Sequence, residues 1–564
     1  MKILGIQDSH DSGIALIEDS KVVFAINEER LNRIKLCRGF PRNSIEMLLD
    51  KYVKAEEIDK IIIGSKYIDF EGEELDNFNR KSISSFSSFA GPFLKTGLWT
   101  SIHKIIFKVM FRKREKEIKK ILGKYGFKCY VEFVDHHLAH ASSAYYTGGK
   151  NNALVITSDA AGDALSGSVY IGNNGKLKKI KEINSYNSLG KLYSYVTEIC
   201  GFKACRHEGK ITGLAAYGRP EYIDVFNNMV CYKKGGFVNL SNTKHERSKE
   251  KILKEIGKDY NRENLAASVQ QHLENEMIKF MKYWLKKTGM RNVVLAGGVF
   301  ANVKLNQRIL ELDNVDSIYI HPNMGDGGLA LGAAYYANGK SPIIIDDIYF
   351  GPEYSEEEIE NALKESKVKY KKYGGVEREI AKLINEGKVI ARFNGRMEYG
   401  PRALGNRSIL YHAKDKTVND WLNKRLGRTE WMPFAPVTLE EYKDKNYLDT
   451  KGGEHAAKFM TITFDCSKEM GEKCPAVVHV DNTARPQLIN EKTNKSYYNI
   501  VKEYYKLTNI PTIVNTSFNM HEEPIVCSPK DAIRSFKKGH LDVLAIGNFI
   551  VKNELPRPKG QGIQ

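Results

Sequence analysis

His136 and His140 stand four residues apart in VDHHLAHASSAYY. On a helix that spacing places both imidazoles on one face, where they can share one ion, while His137 points elsewhere. Two carboxylates join them by context: Asp159 ends the apolar run ALVITSD, and Asp326 sits in NMGDGG. An acid at a strand end beside glycines faces open space and can reach a metal or a phosphate. Two imidazoles and two carboxylates make a mixed N/O donor set suited to iron, manganese or zinc, and spacing alone does not choose among them.

Glycine turns surround this set. Gly297 and Gly298 precede one helix start, and Gly325 and Gly327 precede another. Amides at such turns can hold phosphate or let a ring approach closely. With the glycine-rich stretch from Gly162 to Gly167 they outline a nucleotide cleft. A second constellation lies further on. FNGRMEYGPRALGNRSIL carries Arg396, Arg402 and Arg407, HVDNTARPQLI carries Arg485, and PTIVNTSFN places Asn515, Thr516, Ser517 and Asn519 at a strand end. Arginine forks grip phosphate and carboxylate with two bonds, and hydroxyls and amides complete an anion and nucleotide pocket. The rival role for these arginines is bracing by salt bridges. Arg402 and Arg485, each beside a proline in a polar loop, favour ligand binding.

The elements that must carry these residues follow from apolar patterning. KILGIQD, IALIED and KVVFAINEERL around the turn SHDSG predict a β-meander, and NALVITSD with SVYIG predicts a second block of the same kind. NVVLAGGVFANVKLNQRILEL reads as buried strand, glycine turn and helix, and GDGGLALGAAYYANG as a loop entering a helix. Near residue 343 the chain starts afresh, with Ser355 as a helix N-cap and Glu358 three residues on. KVIARFNG, PTIVNTSF and DVLAIGNFIV are strands of a second α/β unit, so the expected domains are 1–343 and 344–564. No repeat of fixed period is visible, and the tail after Pro556 has no apolar pattern.

Composition narrows the classes. A chain of 564 residues, 42% hydrophobic and 27% charged, is that of an ordinary multidomain globular protein. It has no apolar run of about 18 residues, so no membrane span is expected, and MKILGIQDSHDSGIALI is no secretory signal. Eight cysteines without a Cys-x-x-Cys pair read as reduced thiols of a cytoplasmic protein. The net charge of +17 favours anionic partners. Much of it falls between Lys104 and Lys124, where Ile105, Ile106, Val109 and Met110 recur near helical spacing. That stretch reads either as a solvated basic helix or as a docking surface for a polyanion.

Taken in order, SHDSGIAL, EERLNRIK, HHLAH, HEGKITGLAAYG, LAGGVFANVKLN, GDGG, GPRALGNRS, MPFAPV, ARPQ and NTSFN resemble the nodulation and cephamycin type of O-carbamoyltransferase over nearly the whole chain; only residues 66–128 carry no recognisable motif. The resemblance implies an N-terminal actin/hexokinase-like α/β domain, of the ASKHA class, and a C-terminal YrdC-like α/β domain. It also implies a reaction. The second domain joins carbamoyl phosphate with ATP to give carbamoyl adenylate and pyrophosphate, and the first delivers the carbamoyl group to a hydroxyl. His136, His140, Asp159 and Asp326 would then hold Fe2+ or another divalent metal, with Mg2+ a further candidate ion, and the metal would hold the adenylate phosphate. His10 matches the position of the general base for the acceptor hydroxyl, and Lys210 a phosphate contact. Arg402, Arg485 and Ser517 fall on the carbamoyl phosphate and nucleotide pocket. Gly297, Gly298, Asn302, Gly325, Gly327, Arg396, Arg428, Asn515 and Asn519 would line the bound nucleotide.

One stretch departs from the family. Its commoner pattern is a lysine followed by Arg-Glu-x-x-Arg-Pro-Phe-Ala-Pro, whereas LNKRLGRTEWMPFAPV has Met432 before the proline and Gly427 where the lysine aligns. Lys424, Arg425 or Arg428 must then supply the charge, and Arg428 is the expectation. The acceptor is expected to be a small molecule or a sugar; the alternative, prompted by the +17 charge, is a nucleoside or nucleic acid. A regulatory nucleotide sensor without chemistry is a third reading, against which stand the complete metal set and the arginine-rich pocket. Neither the acceptor's identity nor the oligomeric state is written in the sequence.

Overall fold

The computed structural model describes residues 1–66, 111–112, 114–428 and 431–553. The expected meander is present: β1 (Lys2–Gln7), β2 (Gly13–Glu18) and β3 (Lys21–Asn27) run antiparallel. β4 (Lys60–Ile63) and β5 (Tyr130–Phe133) add in parallel on the far side of β1, giving the order β3-β2-β1-β4-β5. The second block builds the same sheet again. β6 (Asn152–Gly162), β7 (Leu165–Asn173) and β8 (Lys176–Asn184) form an antiparallel meander, followed by a small separate hairpin of β9 (Val230–Lys233) and β10 (Gly236–Asn239). β11 (Asn292–Ala296) and β12 (Ser317–Ile320) then add in parallel to β6, in the order β12-β11-β6-β7-β8. The two sheets share strand order and strand sense. This duplication has no counterpart in a repeated sequence, because it needs only two runs of apolar strands with matching turns.

Two helices lie between these sheets; the first carries both histidines, and the second follows the turn that bears Asp326. His136–Thr147 and Leu329–Asn338 cross so closely at Gly332 that a Cβ there would lie 2.0 Å from the Ala139 carbonyl oxygen. Asp135 caps the first helix through the Leu138 amide.

The remaining strands make a third, eight-stranded mixed sheet. They are β13 (Lys371–Lys372), β14 (Ile390–Phe393), β15 (Arg407–His412), β16 (Ala435–Leu439), β19 (Gln487–Ile489), β20 (Thr512–Ser517), β21 (Val543–Ile546) and β22 (Phe549–Lys552), while β17 (Phe464–Asp465) pairs with β18 (Thr483–Ala484) outside it. The order is β13-β22-β21-β14-β15-β20-β16-β19. The Ser355–Glu358 capping box opens the helix Glu356–Glu365 as the sequence predicts.

Of the basic segment, residues 114–124 are helical. Arg114, Ile118 and Leu122 form its buried stripe, and Lys116, Lys119, Lys120 and Lys124 are exposed, so this part is a solvated face over an apolar seam. Ile105, Ile106, Val109, Met110 and the tail after Pro556 lie outside the described residues. All eight cysteines are free thiols, and no described helix is long and apolar enough to cross a membrane.

Candidate active site

The structure gathers His136, His140, Asp159 and Asp326: one donor atom from each lies within 4.8 Å of every other. The helix His136–Thr147 contributes both imidazoles from one face, the bulged end of β6 contributes Asp159, and the turn Asp326–Gly328 contributes the last ligand. His140 Nε2 stands 3.2 Å from Asp159 Oδ2 and 3.4 Å from Asp326 Oδ1, and His136 Nε2 stands 3.6 Å from the same Asp326 oxygen. Yet Nε2 of both histidines and Asp159 Oδ2 are buried without a hydrogen bond among the described residues. Buried polar atoms are rarely left unsatisfied, and three unsatisfied N and O donors converging with an Asp326 oxygen fit a divalent cation. The charges point the same way. Burial opposes a proton on His136, but the Asp326 and Asp159 carboxylates overcome it and raise its pKa to about 10. Burial also works against the Asp159 anion, and the two histidines still hold its carboxyl well below the usual range. His137 faces away, as expected, and bonds Thr157 Oγ1 at 2.9 Å.

Close backbone approach shapes this centre. A Cβ on Gly162 would sit 2.3 Å from the His136 ring, and one on Gly298 would sit 3.1 Å from Asp159 Oδ1. The turn bearing His10 joins β1 to β2 and runs directly into Asp11, whose carboxylate accepts from the main chain of Gly327, next to Asp326. Burial, reinforced by Glu29 and Asp326, pushes the Asp11 carboxyl up to about 8.

Residues of the second constellation lie near the ends of β15, β20 and β19. Arg428 donates to Thr516 Oγ1 (3.0 Å), the Ser517 carbonyl (2.7 Å) and Asn519 Oδ1 (2.8 Å), and Ser517 Oγ bonds Asn519 Oδ1 at 2.6 Å. Of the three cations expected as substitutes for the family lysine, Arg428 bonds Thr516, Ser517 and Asn519, Lys424 is exposed, and Arg425 faces Asp542 at 3.9 Å and the Trp421 ring. Arg402 rides on a loop stapled at both ends. Tyr399 Oη donates to the Gly327 carbonyl at 2.6 Å, and Asn515 Nδ2 donates to the Ala403 carbonyl at 3.1 Å. One short loop therefore links the turn of Asp326 to the strand that ends in Ser517. Arg485 lines a cavity of about 210 Å3 between the halves, together with Thr212, Gln270, Glu274, Met432 and His479.

Residues 2–335 match the family described as Carbamoyltransferase N-terminus, and residues 381–553 match Carbamoyltransferase C-terminus. The chain belongs to the carbamoyltransferase family. It is 33% identical to one uncharacterized protein of Methanocaldococcus jannaschii, over 98% of this chain and all of that one, and 32% identical to another, over 97% and 99%. It is also 30% identical to the nodulation protein NolNO of Sinorhizobium fredii, over 98% of this chain and 80% of that one. Among solved structures, HypF of T. kodakarensis overlaps 60% of this chain and 48% of its own at 12% identity, with a TM-score of 0.35.

In this carbamoyltransferase four residues expected to touch nucleotide have partners within the protein. Arg396 donates to the carbonyls of Val23, Phe350 and Gly351, which makes it a brace between the halves. Asn302 caps the helix Val303–Leu310 and pairs its amide with that of Gln270. Asn515 directs its Nδ2 to Ala403 and Gln487. Gly297 has its amide bonded to the Met324 carbonyl, and it is glycine because its φ is +103° and a Cβ would meet Ser158 O at 2.2 Å. Arg407, the third arginine of its stretch, is fully buried over the Phe393 ring with four carbonyl partners. Lys210 lies buried on the helix Glu208–Ala215, its Nζ 5.6 Å from the centre of the Phe202 ring. Gly325 faces open space beside Asp326.

Other residues escaped the sequence reading. Asp163 accepts the His136 amide at 2.8 Å, and His321 lies buried behind His140, bonded to Thr147 at 3.2 Å. Burial, aided by His140, lowers the His321 pKa to about 3, which keeps its ring neutral. Tyr399 sits inside the very motif that supplied Arg402, and only its link to Gly327 marks it out.

Proposed function

We propose that this carbamoyltransferase is an ATP-dependent O-carbamoyltransferase with two chemical centres. The unit 344–564, read as YrdC-like, activates the carbamoyl group. The unit 1–343, read as actin/hexokinase-like, transfers it, and the pair of sheets with identical strand order supports that reading. Atom balance sets the first step: carbamoyl phosphate, water and ATP give carbamoyl adenylate, pyrophosphate and orthophosphate. Arg402, Arg428, Arg485 and Ser517 would hold the anions there.

The second step passes the carbamoyl carbon from adenylate to a hydroxyl oxygen, with AMP leaving. His10 takes the hydroxyl proton, and its turn abuts the Asp326 loop. His136, His140, Asp159 and Asp326 would hold iron or another divalent ion, which would supply Lewis-acid stabilisation for the phosphate of the leaving AMP. The observation that carries the proposal is the Tyr399–Ala403 loop, which joins the Asp326 turn to the Ser517 strand. Two centres so coupled suit an intermediate that water would destroy.

The acceptor is read as a small molecule or sugar hydroxyl. The second reading, a nucleoside or nucleic acid, draws on the +17 charge. Transfer to a polyanion would fall steeply with salt, whereas transfer to a free small acceptor would not. A salt series run on carbamoyl transfer therefore separates them. The regulatory-sensor reading ends once carbamoyl transfer is measured and found lost in His140→Ala.

A further inference from the structure

Arg114 belongs to the basic segment, which the proposed chemistry leaves without a role. It is 7% exposed and shares the buried stripe of Ile118 and Leu122, while Lys116, Glu117, Lys119, Lys120 and Lys124 are exposed on the same helix. Its guanidinium has three described acceptors. Nη2 pairs with the Asp8 carboxylate, and Nη1 donates to the carbonyls of Ser65 at 2.7 Å and Lys66 at 2.9 Å. Both partners lead to the transfer centre. Asp8 follows β1 directly and stands two residues before His10. Ser65 Oγ and the Lys66 amide donate to the two oxygens of Asp163, at 3.0 and 3.1 Å, and Asp163 Oδ2 also accepts the His136 amide at 2.8 Å.

From this we infer that Arg114 is a positioning residue of the transfer centre. It fixes the His10 turn and the first turn of the His136–His140 helix relative to each other. Only a planar fork spans one carboxylate and two carbonyls at once; a lysine reaches them with a single nitrogen. Burying the cation costs desolvation, which Asp8 and the carbonyls offset, so the contact contributes geometry more than stability. Asp163, held at φ +48°, hands that geometry to a metal-type ligand. Outer partners of this kind typically change metal affinity by about 10–100-fold.

The inference rests on the metal reading of His136, His140, Asp159 and Asp326, so the test carries that reading as its own control. The full chain is titrated with Co2+, followed by visible absorption, beside an assay of pyrophosphate release from ATP and carbamoyl phosphate. Arg114→Gln is expected to weaken Co2+ binding about 10–100-fold while pyrophosphate release is unchanged, with Arg114→Lys falling between. If Arg114→Gln does not fold, the double variant Asp8→Asn/Arg114→Gln, which buries no lone charge, takes its place. Unchanged Co2+ affinity in the Arg114 variants, with binding lost in His140→Ala, would overturn the positioning role alone. Parallel loss of pyrophosphate release in a variant that folds would show that the effect is not confined to the transfer centre, and would also overturn it. Parent-like Co2+ binding in His140→Ala would remove the metal reading, and this inference with it.

Discussion

At the metal-type centre, each histidine contributes a nitrogen that forms no hydrogen bond among the described residues. His140→Ala removes one of four donors, and Co2+ affinity is expected to fall more than the roughly 100-fold that an outer partner can cost. Binding also displaces a proton. His136, with its pKa near 10 in the metal-free protein, is protonated at neutral pH, so loading should release about one proton from it. Calorimetry in two buffers of different ionisation enthalpy measures that release. Without metal, the raised His136 pKa stabilises the fold fully below its unfolded value of about 6.5, and this contribution is lost as pH rises through about 10. The lowered Asp159 pKa contributes above about 3.8 and is lost as pH falls toward its folded value. Chelator-treated protein should therefore unfold at lower urea near pH 10.5 than at pH 7. In the second pocket, Arg428→Ala leaves Thr516, Ser517 and Asn519 without their common donor. Pyrophosphate release should drop by roughly tenfold or more, while Co2+ binding stays intact.

Among the elements, the sequence was most legible where patterning and turn chemistry agree. The β-meander of β1–β3, the Ser355 cap and the glycine turn after β11 all follow from local rules. The His136/His140 pair was legible for the same reason, since helical spacing alone puts both rings on one face. The arginines were harder. Arg396 and Arg402 lie six residues apart in one polar stretch, yet one braces β3 and the other rides the loop between centres. Which carbonyls a guanidinium meets depends on the other half of the chain, and no local pattern encodes that. Arg114 was hidden similarly, as one basic residue among many in KIIFKVMFRKREKEIKKILGK. Contact between elements also makes a stability prediction. The helix Glu208–Ala215 meets the Met432 loop at Gly213, where a Cβ would lie 2.8 Å from the Met432 nitrogen. Gly213→Val must push that loop aside, at a cost of about 1–3 kcal/mol read from the denaturant midpoint.

Across the whole molecule, the two halves are held together by polar contacts that converge around the proposed centres. Arg33 donates to the carbonyls of Pro524 and Ile525, and Glu522 takes Arg206 at 2.5 Å and His207 at 3.0 Å beside the helix of Lys210. Glu522 lies three residues beyond Asn519, so the loop that bears the Arg428 clasp is also a docking point for the first half. Glu522→Gln should weaken that docking and slow carbamoyl transfer more than pyrophosphate release, which comparison of the two rates will measure.

The most direct test of two-step carbamoyl transfer uses purified protein with ATP and carbamoyl phosphate and no acceptor. Pyrophosphate is followed, and carbamoyl adenylate is sought by mass spectrometry, with Arg485→Ala alongside. The account predicts both products from the parent chain and neither from the variant. A folded, metal-supplied parent that yields neither product would contradict it, and would mean that the change at Gly427 and Met432 has removed the activating chemistry from the second half.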